Sequence, residues 1–76
     1  MMRFLLKERI AEKEFHEKRR ITVEEVARET NISRHTLSRI MNTFGYVAKT
    51  DAIDKLCSYF GVQSGKIMEH IEDTEN

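Results

Sequence analysis

The chain has no proline, three glycines and one cysteine among its 76 residues. Proline and glycine punctuate folds made of short strands and turns, so their scarcity argues against a sandwich or barrel and leaves helices as the natural choice. The lone Cys57 excludes an internal disulfide, and nothing in the sequence calls for an oxidising compartment. No apolar run approaches the roughly 20 residues needed to cross a bilayer. The opening MMRFLLKERI brings in charge too early for a secretory signal. What is present is 39% hydrophobic residues, too many for a disordered chain, in a length that supports one compact core. The expectation is a single soluble, cytoplasmic, all-α domain over residues 1–76, with the acidic end at 72–76 frayed.

Net charge is also missing, since 13 Lys and Arg offset 13 Asp and Glu, but the balance is uneven along the chain. Residues 1–49 carry 11 basic and 7 acidic side chains, whereas 50–76 carry 2 and 6. Phosphate binding responds to local potential, so a neutral total does not exclude a nucleic-acid ligand; it does predict weak non-specific affinity.

The segment TVEEVARETNISRHTLSRIMN, Thr22 to Asn42, holds the densest pattern. Val23, Val26 and Ala27 share one helical face, and Leu37, Ile40 and Met41 share another, with Ile32 between them. Thr22 and Glu25 have the spacing of a capping box, and Ser33 offers a second cap. Asn31 stands where the chain must turn sharply, a position that favours a residue tolerant of left-handed backbone. Ala27 is small where two helices must approach closely. Cap, small packing position, turn residue and second cap in this register read as a helix-turn-helix.

Around it, Leu6, Ile10 and Phe15 predict a first helix from about Arg3 to His16, and the run His16–Arg20 predicts a polar helix end or loop. After Asn42 comes the linker TFGYVAKT, where Gly45 ends any helical run and Thr50 can cap the next helix; Ile53, Leu56, Cys57 and Phe60 predict a fourth helix from about Asp51 to Phe60, stopped by Gly61. Ser64 then caps a short final pattern in which Ile67, Met68 and Ile71 predict a fifth helix.

Five helices, with the motif as the second and third, resemble the Cro and phage-repressor (XRE-type) family of helix-turn-helix regulators. The resemblance runs over about residues 3–71 and is strongest in VEEVARETNISRHTLSRI, where Ala27, Ile32, Ser33, Leu37 and Ile40 fall at the family's core and cap positions. DAIDKLCSYFGV resembles its fourth helix. The chain departs from the family at Val23, where a phosphate-contacting Gln is usual, at Asn31 in place of the turn glycine, and in a longer interval from Ile10 to Ile21.

With Leu37, Ile40 and Met41 turned inward, Arg34, His35, Thr36, Ser38 and Arg39 are left on the outer side of the third helix or its margins. In helix-turn-helix docking this is the part that reaches base edges, so these five are the candidate base contacts. Arg34 or Arg39 can fork onto guanine, and Thr36 can offer its methyl to thymine. Thr22, Ser33, Thr43 and Lys49 are the candidate phosphate contacts, the first two through helix N-terminal amides. The expected role is a small transcriptional repressor acting as a homodimer on a near-palindromic operator, with half-sites about 10 base pairs apart. Ile67, Met68 and Ile71 with Phe44, Tyr46 or Tyr59 are candidate apolar dimer surface, and Cys57 is a core residue. Enzymatic chemistry has little support: His16, His35 and His70 are scattered, no Cys or His pair has metal-ligand spacing, and there is no glycine-rich phosphate loop, so neither metal nor cofactor is called for. The competing reading is a helix-turn-helix subunit that grips a protein partner, as an antitoxin-like or anti-regulator protein would.

Overall fold

The computed structural model describes residues 1–72, and the tail expected to fray lies, beyond Glu72, outside the described residues. The elements follow in the order β1 (Met2–Phe4), α1 (Leu6–Glu17), α2 (Val23–Thr30), α3 (Arg34–Asn42), α4 (Thr50–Phe60), a 3-10 turn (Ser64–Lys66) and β2 (Met68–His70). Apolar residues one turn apart or nearly so build the core: Leu6 and Ile10 from α1, Val26 from α2, Leu37 and Ile40 from α3, Ile53 and Leu56 from α4. Ile21, Ile32 and Ile67 fill the gaps from the connections. Ala27 and Met41 pack at the margin of this core, as does Val23, so the side chain at the position of the family's polar anchor is turned to packing.

Two starts differ from expectation. The first helix begins at Leu6, because Arg3 belongs to β1. The fourth begins at Thr50 itself, with Lys49 as its cap and no side-chain hydrogen bond, so Thr50 is not a cap. Phe15 does not join the core and is 78% exposed. It follows Ile10 by five residues, about 140° away around a helix of 3.6 residues per turn, and its ring rests edge-on against His16 instead. Cys57 is half-buried, packed against the core without entering it.

The largest difference is at the C-terminal end, where the expected fifth helix is a 3-10 turn followed by a strand. Ile67 is fully buried, and its carbonyl accepts the Leu5 N–H at 2.7 Å. Met68–His70 then pairs antiparallel with Met2–Phe4 in the register Met2 to His70, Arg3 to Glu69 and Phe4 to Met68. The Met1 amine donates to the Ile71 carbonyl at 2.9 Å, and the Ile71 N–H returns to the Met1 carbonyl at 2.7 Å. A helix here would leave the extended backbone of β1 without these partners. The fold is therefore mostly helical, with four α-helices and one two-stranded ribbon among the described residues.

Candidate nucleic-acid interface

Short-range hydrogen bonds form the turn between α2 and α3. Thr22 has extended backbone, and its hydroxyl accepts the Glu25 N–H at 3.1 Å, which starts α2. The reciprocal half of the capping box is not made, because Arg19 takes the Glu25 carboxylate with both terminal nitrogens, at 2.8 and 2.7 Å. Asn31 ends α2 in the left-handed region at φ 61°, its N–H donating to the Ala27 carbonyl at 2.9 Å. Thr30, buried in the turn, donates its hydroxyl to the Val26 carbonyl at 2.7 Å and accepts the Ile32 N–H at 3.3 Å. Sequence reasoning passed over Thr30, although a hydroxyl one residue before the turn is well placed to hold it. Ser33 then caps α3 by accepting the Thr36 N–H at 3.1 Å.

On α3, Arg34, His35, Ser38, Arg39 and Asn42 are all exposed, opposite the buried Leu37 and Ile40. At 100° per residue they fill one continuous arc of about 140°. Arg39 and His35 make no ion pair with the described residues. Ser38 accepts a hydrogen bond from the Asn42 amide at 3.3 Å, so Asn42 steadies a hydroxyl that can still donate outward. Thr36 lies at the edge of the arc, half-buried, its hydroxyl accepting from Ser33 at 3.0 Å.

The first turns of α2 and α3 come together. Arg34 Nη2 lies 3.7 Å from the Glu24 carboxylate, which brings the N-terminal end of α3 beside that of α2 and its cap Thr22. Next to it, Asn31, Ser33, Thr36, Lys49 and Lys55 border an open groove of about 310 Å³. Ser33 and Lys49 are thus brought into one surface with the N-terminal end of the exposed arc. Thr43 is not. It caps the far end of α3 and lines a different hollow, with Arg3, Lys7 and Glu8. Lys55, paired with Asp51 at 3.1 Å, was missed because its place in the groove comes from packing α4 against the turn, which no local pattern encodes.

The basic run 16–20 divides by partner. Arg19 bridges Glu17 and Glu25, tying the end of α1 to the start of α2. This holds the Glu25 carboxyl below the usual range, and the Lys13 ammonium at 2.7 Å, reinforced by Arg19, does the same for Glu17. Lys18 closes α1 at φ 55°. Lys18 and Arg20 are exposed and form no ion pair with the described residues.

Of the candidate dimer residues, Ile67 is fully buried, and Met68, Ile71, Tyr46 and Tyr59 are half-buried. Phe44 alone among them projects, 82% exposed, and Val47, not singled out from the sequence, is 86% exposed. Between α3 and α4 both side chains flank the ribbon, where Met1, Met2, Phe4 and Met68 line an apolar groove with Tyr46 and Val47. Among the described residues no cluster of His, Cys, Asp and Glu could hold a metal ion, and no helix is long and apolar enough to cross a membrane.

The family model of the Cro/C1-type HTH DNA-binding domain matches residues 13–73, from the middle of α1 past β2. No curated protein and no solved structure matches the chain.

Proposed function

The chain belongs to the Cro/C1-type helix-turn-helix DNA-binding family, and from that premise we propose that it is a small transcriptional regulator, a repressor, that reads double-stranded DNA with the outer arc of α3. The observation that carries this reading is the exposed, continuous set Arg34, His35, Ser38 and Arg39 on a helix whose opposite side is fully committed to the core. Side chains on such an arc reach base edges when the helix enters a major groove. Arg34 and Arg39 fork onto guanine; His35 and Ser38 contact neighbouring edges; Thr36, at the margin, adds its methyl.

Phosphates are held by the helix N-termini at Thr22 and Ser33 and by Lys49, with Thr43 touching the strand at the other end of α3. These contacts set orientation without choosing sequence. A single module of this size covers few base pairs, so the functional unit is a homodimer on a near-palindromic operator. Exposed Phe44 and Val47 supply apolar surface for a protein contact. They equally suit the second reading, a subunit that binds a different protein.

Selection of bound duplexes from a random pool at about 100 mM salt, where phosphate-only binding is already weakened, tests the reading. An inverted repeat is the expected product. On the recovered duplex, Arg34→Ala or Arg39→Ala should each cost about 1–3 kcal/mol and relax preference at one base position, while Lys49→Ala should weaken all duplexes alike. Equal losses on selected and random DNA for all three variants would overturn it. No enrichment by a folded protein would favour the protein-binding role.

A further inference from the structure

We infer that Glu24 is a specificity-determining residue of this surface: it pairs with Arg34 and weakens the phosphate contact at the first turn of α2, so that less of the binding is common to all DNA and Arg34 is directed to a base edge. The inference rests on the DNA-binding reading above. Arg34 is the first residue of α3, a place where the partial positive charge of the helix N-terminus opposes a cation, and α3 has no acidic residue in its first turn. The compensating charge comes from the neighbouring helix. Glu24 sits in the first turn of α2, favoured there by that helix's own dipole, with its carboxylate 3.7 Å from Arg34 Nη2.

The other acid of that turn, Glu25, is already neutralised by the paired hydrogen bonds from Arg19. Glu24 is therefore the carboxylate left facing outward, and the pair is open, with side chains 68% and 60% exposed. Both helix N-termini attract anions, so this is where a phosphate settles without regard to sequence. A carboxylate at that point weakens the hold on a phosphate without opposing a neutral base edge. Guanidinium geometry allows both contacts together: five N–H donors in a plane let one edge keep the carboxylate while the remaining donors face guanine O6 and N7. Glu24 thus weakens the binding common to all DNA more than the binding to the preferred site.

The test uses the full chain with Glu24→Gln, its binding followed on the selected duplex and on a scrambled duplex across a salt series. The variant should bind the scrambled duplex about threefold or more tightly, and its affinity there should fall more steeply with salt, by about one unit of slope. The selected duplex should gain less, so the ratio between the two falls. In an Arg34→Ala background the same substitution should change the ratio much less. Glu24→Ala, which removes the same charge, should reproduce the fall. An unchanged ratio in Glu24→Gln overturns the role, as does a full-sized effect without Arg34, while leaving DNA binding intact. A wild-type protein that binds no duplex removes the DNA reading and the role of Glu24 together.

Discussion

The side-chain hydrogen bonds that form the α2–α3 turn join residues two to four apart, whereas the β1–β2 ribbon joins residues 66 and 70 apart. The turn closes almost no loop and can form as soon as its helices do. The ribbon must bring the two ends of the described chain together, and two strands of three residues each cannot stand alone in water. What keeps the ribbon in place is the core beneath it, where Ile67 is buried and Phe4 and Met68 pack against the cluster. One region is specified by its own residues, and the other by what it covers.

Truncating one fully buried side chain in each region should separate them. Leu37→Ala and Ile67→Ala both empty sites that are closed to solvent, and each should cost about 2–5 kcal/mol in chemical denaturation. Their local consequences should differ. Leu37→Ala lowers the stability of the whole domain, while Ile67→Ala should also expose the Leu5 and Ile71 amides to hydrogen exchange well before the amides of α2 and α3. If those two amides stay as protected as the helices in Ile67→Ala, the ribbon does not depend on the core in the way argued.

A smaller effect sharpens the turn itself. Among the described residues, Asn31 and Lys18 are the non-glycine residues with positive φ, at 61° and 55°. Asn tolerates this region through its short polar side chain, and Lys has no such help. Asn31→Ala should cost about 1–2 kcal/mol, with Asn31→Gly close to neutral. Lys18→Gly should stabilise by about 0.5–1 kcal/mol by relieving a strained position. A loss in Lys18→Gly would mean that its side chain contributes more than its backbone costs.

The same contrast explains what could be read in advance. Thr22, Asn31 and Ser33 act within their own turns, so residue type and spacing were enough to place both caps and the left-handed corner. The arc of Arg34, His35, Ser38 and Arg39 followed from the inward face of the same helix. The Thr22–Glu25 spacing alone predicts a full capping box, because the competing Arg19 lies on the preceding connection and only folding brings it to Glu25. Ile67, Met68 and Ile71 have helical spacing, and their strand conformation is imposed by a partner at the other end of the chain. The groove beside Lys49 depends on the docking of α4, which local periodicity does not specify.

The Arg19 bridge lies between these two kinds of contact, since it spans six residues and links α1 to α2. Its hydrogen bonds to Glu25 hold that carboxyl below its ordinary value of 4.5. A carboxylate whose folded value is depressed stabilises the native state above its unfolded value, and that contribution is lost as pH falls through the folded one. The wild-type thermal midpoint should therefore decline from about pH 5 downward. Glu25→Gln should start lower at neutral pH and decline less over the same acid range, narrowing the gap between the two proteins. Because the pair is exposed, added salt should shrink the neutral-pH difference as well. Superimposed curves for the two proteins would mean that the bridge orients the α1–α2 connection without contributing to its stability, and that Glu25 could be replaced without loosening the start of α2.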